Sequence, residues 1–241
     1  MRKVVDMKIL AIDSSGLVAS VAILTEDTLL AEYTVNYKKT HSQTLLSMLD
    51  EIVRMIELDL SEINAIAVAK GPGSFTGLRI GSATAKGLGQ ALNKPLIGIP
   101  TVDALAYNMF ACDYIVCPLM DARRNQVYTG LYEFHGNEFI TIEEQQAVDV
   151  TSIVDKINKC GKPVVYLGDG VDSYRDQLIS LTKVPHLFAP SHLNKQRAAA
   201  LGALAVEYYK QGLVETAMEH VPDYLRLSQA EREREEAMKA E

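Results

Sequence analysis

Lys8-Ile9-Leu10-Ala11-Ile12 is an apolar run that stops abruptly at Asp13-Ser14-Ser15-Gly16 and resumes as a second apolar run from Val18 to Leu24. Short apolar runs bounded by turn residues read as buried strands, so this stretch predicts a strand, a polar elbow and a strand returning beside the first. A third strand is predicted over about Thr28 to Asn36, after the turn Glu26-Asp27. A helix over Ser42 to Glu57 follows, then a short buried strand from Ala65 to Ala69, a Gly-Pro loop, a helix over Thr76 to Leu92 and a strand near Leu96 to Ile99. The order of this half is βββαβαβ.

The second half repeats the pattern. Tyr114 to Met120 is a strand ending in Asp121-Ala122-Arg123-Arg124, with return strands at Gln126 to Tyr132 and Glu138 to Ile142. A helix near Thr151 to Asn158, a strand from Pro163 to Leu167, and helices near Ser173 to Leu181 and Lys195 to Gln211 complete it. Each elbow aspartate, Asp13 and Asp121, stands at the end of a hydrophobic strand that turns straight back. The expected fold is therefore α/β, with duplicated βββαβα lobes. This order resembles the actin, Hsp70 and sugar-kinase-like (ASKHA) superfamily, in which two facing elbows hold a nucleotide's phosphates. The lobes are expected over 1–102 and 103–227, with a charged tail over 228–241.

The chain has 241 residues, 48% of them hydrophobic, enough for a substantial core. Its net charge of −7 argues against a free-standing nucleic-acid binder, because neutralising phosphates needs a basic surface. No apolar run is long enough to span a membrane and no signal-peptide core forms at the start, so a cytoplasmic location is expected. Cys112, Cys117 and Cys160 lack Cys-x-x-Cys spacing and read as reduced core residues. The histidines form no His-x-x-x-His pair, and no serine stands in a Gly-x-Ser-x-Gly elbow, so neither a metal site nor a catalytic residue is expected.

Three features could carry function. The first is a vestigial nucleotide site made of Asp13, Ser14, Asp121, Gly168 and Gly170, residues equally at home in ordinary turns. The second is Gly71-Pro72-Gly73-Ser74-Phe75-Thr76-Gly77-Leu78-Arg79-Ile80-Gly81, a glycine loop opening a helix, with Ser74 or Thr76 available as its cap. It lacks the Gly-Lys-[Ser/Thr] ending of a Walker A loop. Gly77, Gly81, Ala85 and Gly89 then recur every four residues. Such a ridge of small side chains suits close approach of another backbone, either this protein's own sheet or a partner. The third feature is the helix from Ser42 to Glu57, whose Leu45, Leu46, Met48, Leu49, Ile52, Val53, Met55 and Ile56 cover an arc of roughly 180°, wider than one sheet requires. The surplus predicts a partner interface built from Leu45, Met48, Leu49, Ile52, Met55, Ile56, Gly77, Gly81 and Ala85.

The string GPGSFTGLRIG at 71–81, the opening ILAIDSS, His41-Ser42-Gln43 and Pro222-Asp223-Tyr224-Leu225-Arg226 together resemble the bacterial TsaB (YeaZ) family. The resemblance implies a non-catalytic subunit of the machinery that makes tRNA N6-threonylcarbamoyladenosine. Its implied partner is a TsaD-type catalytic subunit carrying the metal-binding histidines, alongside a TsaE-type ATPase. It also implies a homodimer through the N-terminal lobe when the chain is alone, and tRNA reached only through the complex. No cofactor is expected to be tightly bound, with room for a nucleotide at the complex interface. The alternative is an ATP-dependent small-molecule kinase of the same fold, with Asp13 or Asp121 positioning magnesium and residues 121–124 holding phosphates. Direct tRNA contact through Arg123, Arg124 and Arg226 is a third, lesser expectation.

Overall fold

The computed structural model describes residues 7–37 and 41–226, without the side chains of residues 41–43. Its first sheet holds β1 (Lys8–Asp13), β2 (Ala19–Leu24), β3 (Leu29–Val35), β4 (Ile63–Gly71) and β5 (Leu96–Pro100), in the order β3-β2-β1-β4-β5. β2 runs antiparallel to β1, pairing Ala22 with Ala11 and Ser20 with Asp13, whereas β4 runs parallel to β1. β1 is buried on both sides, which is why it reads as a continuous apolar run rather than an alternation.

Those two faces feed two separate cores. Leu10 and Ile12 point to one side, where α1 (His41–Met55) and α2 (Phe75–Leu92) cover the sheet. Ile9 and Ala11 point to the other, beneath α6 (Ala198–Lys210). Each such leucine or isoleucine, fully removed from water, stabilises the fold by about 1.5–3 kcal/mol before the cost of ordering it.

The second sheet repeats the topology, with β6 (Ile115–Asp121), β7 (Gln126–His135), β8 (Glu138–Asp149), β9 (Val164–Leu167) and β10 (His186–Phe188) in the order β10-β9-β6-β7-β8. β6 matches β1: Ile115, Cys117 and Leu119 enter the core under α4 (Val150–Cys160) and α5 (Gly170–Leu181), and Val116 and Met120 enter another. Between the sheets lies α3 (Thr101–Ala106), an element the sequence reading did not foresee, with Ala104 in one lobe's core and Val102 and Leu105 in the other's.

The duplicated α/β fold is as expected, with α3 and β10 as additional elements. α6 was assigned to the second lobe but packs on the first sheet. The first lobe also receives its N-terminus: Ala198 N–H donates to Ser20 Oγ at 2.9 Å, Ala199 N–H donates to Glu32 Oε1 at 3.0 Å, and Arg197 pairs with Glu32. The three cysteines also differ, since only Cys117 is buried; Cys112 is half-buried and Cys160 exposed. The expected tail over 228–241 lies outside the described residues.

Candidate functional site

The first elbow is folded in on itself, buried over residues 13–15, with Gly16 half-buried and Leu17 exposed at its tip. Asp13 Oδ1 accepts from Ser15 N–H at 2.9 Å and from Ser15 Oγ at 2.6 Å, and all three of Asp13, Ser14 and Ser15 are buried. The glycine string lies directly against them. Ser74 N–H donates to Ser15 O at 2.7 Å, and Ser14 Oγ donates to Gly77 O at 2.9 Å. A Cβ on Gly73 would overlap Ser15 O, one on Gly77 would overlap Ser14 O, and one on Gly81 would sit 2.6 Å from Ser14 Oγ. Ser74 caps α2, accepting from Gly77 N–H at 3.3 Å, while Thr76 is exposed. The glycines are thus required by the chain's own elbow.

A C-terminal strap, residues 215–226, crosses this assembly. Glu215 and Leu96 exchange backbone hydrogen bonds of 2.8 and 2.9 Å at the edge of the first sheet. His220, fully buried, shares a 2.7 Å hydrogen bond with Glu215 through Nδ1 and a 3.0 Å one with Ser82 Oγ through Nε2, and Lys86 Nζ donates to its carbonyl at 2.9 Å. This serine–histidine–carboxylate order has the connectivity of a hydrolytic triad. Ser82, however, is 4% exposed in mid-helix, so the three groups fasten the strap to α2. Further on, Asp223 N–H donates to Lys70 O at 2.6 Å, and Gly71, at φ 123°, leaves no room for a Cβ beneath Asp223 O. Tyr224 stacks on Phe75 with ring centroids 4.2 Å apart and planes 1° from parallel. Arg79 Nε donates to Tyr224 Oη at 3.3 Å, and its guanidinium lies 5.6 and 6.0 Å from the two ring centroids. The glycine string and Pro222–Arg226, distant in sequence, are one structural unit.

The second elbow has the opposite character. Residues 121 and 123–125 are exposed, and Arg123, Arg124 and Asn125 all adopt left-handed backbone conformations, with φ of 62°, 55° and 59°. Asp121 Oδ1 accepts from Arg123 N–H at 2.7 Å, Ala122 N–H donates to Gln126 O at 2.9 Å, and Asp121 N–H donates to Asp169 Oδ1 at 3.2 Å. Gly168, at φ 102°, and Gly170 both rest against Leu119 O of β6. A triphosphate needs backbone N–H groups turned outward. The N–H groups of Ser15, Ala122 and Arg123 are each held within their own elbow, and the two glycines rest against β6.

The expected interface residues fall in three places. Leu45, Met48, Leu49 and Ile52 are buried against β2, β3 and α2 of the same chain, and Ala85 lies in the same core. The wide arc of α1 is taken up because the helix faces a broad sheet on one side and α2 on the other, while Ile56 is only partly exposed. Gly77 and Gly81 are covered by the elbow. Of the nine residues, Met55 alone presents an exposed side chain, at 75%; Leu46 joins it at 57%. On α2 the outward small residues are Ala83 and Gly87, and a Cβ on Gly87 would meet nothing within 4 Å.

Two buried titratable groups lie away from the elbows. Burial pushes the Cys117 thiol up to about 12, and burial likewise pushes the carboxyl of Asp103, on α3, up to about 6. Among the described residues no group of three or more His, Cys, Asp or Glu side chains could hold a metal ion, and no helix is long and apolar enough to cross a membrane. Sequence reading missed Ser82, Glu215 and His220. The available signal was a histidine two residues ahead of Pro222, in a segment with no periodicity.

Two sheets of equal strand order, each with an elbow after its central strand, define an actin-like fold. The TsaD family model, described as tRNA N6-adenosine threonylcarbamoyltransferase, matches residues 28–234. The chain is 33% identical over 227 residues to the tRNA threonylcarbamoyladenosine biosynthesis protein TsaB of Bacillus subtilis, covering 93% of this chain and 96% of that one. It is 33% identical over 173 residues to TsaB of Escherichia coli, covering 70% and 74%. The solved structure of YeaZ from Pseudomonas aeruginosa, 26% identical, superposes with a TM-score of 0.75 over 91% of this chain and 100% of that one. The chain belongs to the family that the TsaD model describes and, within it, to the TsaB family of tRNA threonylcarbamoyladenosine biosynthesis proteins.

Proposed function

We propose that this chain is a non-catalytic assembly subunit of a tRNA N6-threonylcarbamoyladenosine transferase complex, docking a TsaD-type catalytic subunit through the outer face of α1 and α2. One observation carries the reading: the glycine string that typifies the chain is occupied by its own elbow and strap, so the motif builds a rigid lobe and leaves no substrate pocket there. Exposed on this lobe are Leu46 and Met55, on opposite flanks of α1, and the small residues Ala83 and Gly87 on one face of α2, where another helix can approach closely. Docking would stabilise the competent form of the partner by as much as it prefers that form. The same face serves a homodimer when the chain is alone, and a TsaE-type ATPase joins the paired subunits. A nucleotide, where one binds, belongs to the interface between partners.

The test is co-purification with a TsaD-type subunit. Leu46→Glu with Met55→Glu places charges on exposed positions, so the monomer stays folded while pairing is lost. Undiminished pairing by this variant would overturn the assignment of the face.

A further inference from the structure

The Phe75–Tyr224 stack and the second elbow are neighbours, and between them they gather four arginines. Tyr224 and Arg226 are two residues apart, a span of at most about 7 Å of chain. Arg226 Nη1 donates to Ala122 O at 2.7 Å, which sets its guanidinium beside the residue preceding Arg123. Arg79 lies against the stacked rings, and Arg123 and Arg124 are exposed at the elbow tip. Thus four of the seven arginines at described positions (79, 123, 124 and 226, as against 54, 175 and 197) converge on one region of a chain whose net charge is −7.

The other three arginines are engaged elsewhere: Arg54 with Asp50, Arg197 with Glu32, and Arg175 over Phe188. Among the described residues, none of the converging four is in an ion pair. Asp121, Asp169 and Asp223 stand in the same region, but Asp121 Oδ1 and Asp169 Oδ1 are turned onto backbone N–H groups. Guanidinium groups recognise phosphates through their forked donors, and an exposed aromatic ring beside them supplies a face on which an unpaired base can stack. Tyr224 is 36% exposed and Phe75 partly so.

We infer that Phe75, Arg79, Arg123, Arg124, Tyr224 and Arg226 form a docking surface for a single-stranded RNA loop, with the arginines on phosphates and the aromatic pair beside a splayed base. The inference extends the proposed function by giving this subunit its own contact with the RNA that the complex modifies. It rests on that reading only for the expectation that the RNA is a tRNA.

The experiment is fluorescence anisotropy of the full chain with a labelled RNA stem-loop across a salt series, with a blunt duplex of the same stem as control. The stem-loop is expected to bind more tightly than the duplex. Arg123→Ala with Arg124→Ala, both at exposed positions, is expected to weaken binding about 10-fold and to reduce the slope of log K against log salt by about 1.4, as for two lost single-strand phosphate contacts. Tyr224→Leu is expected to weaken stem-loop binding at least about 5-fold through lost stacking, whereas Tyr224→Phe, which keeps the ring, retains it. Absence of stem-loop binding at low salt, equal affinity for the duplex, or an unchanged affinity and salt slope in the double arginine variant would each overturn the inference. Pairing with a TsaD-type subunit, measured on the same samples, reports separately on the assembly role, because none of these substitutions touches the outward residues of α1 and α2.

Discussion

The two elbows have the same place in the same topology and have been finished in opposite ways. After β4 the chain makes the three-residue loop Pro72-Gly73-Ser74, which meets Ser15, and then enters a helix whose Gly77 and Gly81 lie against Ser14. After β9 it makes only the short turn Gly168-Asp169-Gly170, which rests on Leu119, two residues short of Asp121, and leaves the second elbow open. The duplicated scaffold therefore specifies where an elbow stands, while the residues that the following loop and helix set against it decide how far it is covered. One lobe uses its elbow as an internal buttress, and the other leaves it at the surface with two arginines at the tip.

The largest effect that sharpens this contrast comes from side-chain volume behind each elbow. Gly77→Val, which must displace the backbone at Ser14, is expected to cost about 3 kcal/mol or more. Gly170→Ala, whose Cβ would lie 2.9 Å from Leu119 O, is expected to cost less. Urea denaturation of both variants measures the difference, and equal costs would break the comparison.

Next in size is a titration between the lobes. Asp103 accepts from Tyr132 Oη at 2.7 Å, and burial holds its carboxyl at about 6 against an ordinary 3.8, with Tyr132 opposing, Glu144 adding and Lys70 opposing. The folded state thus holds a proton that the unfolded state releases. The stability this contributes is full below pH 3.8, declines above it, and is lost as pH rises through about 6. Asp103→Asn should remove on the order of 2–3 kcal/mol of pH dependence across that window, read from urea midpoints at several pH values.

His220→Ala removes two hydrogen bonds from the strap and leaves Ser82 and Glu215 without that partner. It should cost about 2 kcal/mol, with faster amide exchange over 215–226 than elsewhere in the first lobe. The smallest effect belongs to the open elbow. Arg124→Gly relieves a left-handed residue and should raise stability by about 1 kcal/mol, a gain not expected at Ser14, whose hydroxyl is bound to Gly77.

Much of the architecture was legible because β1 and β6 are buried on both faces and end in polar elbows, a pattern that local sequence carries by itself. The duplication followed from element order. The path of α6 was not legible: what draws it to the first lobe is Ser20 and Glu32 meeting Arg197, Ala198 and Ala199 across 165 to 178 residues of sequence. The strap escaped for a related reason, since its buried His220 is defined only by Ser82 and Glu215 around it. The wide arc of α1 misled in the other direction. An arc measures how much apolar surface a helix has, and cannot say whether β2, β3 and α2 together will cover it, as they do for Leu45, Met48, Leu49 and Ile52. The glycine ridge likewise announced close approach correctly without revealing that Gly77 and Gly81 meet Ser14 and Gly89 meets Leu96.

The central claim is that the first elbow is a buried structural element, and isothermal titration of the isolated chain with ATP and magnesium tests it most directly. The buried elbow predicts only heats of dilution up to millimolar nucleotide. Saturable binding at micromolar concentration, accompanied by hydrolysis or phosphoryl transfer, would contradict it and restore the kinase reading.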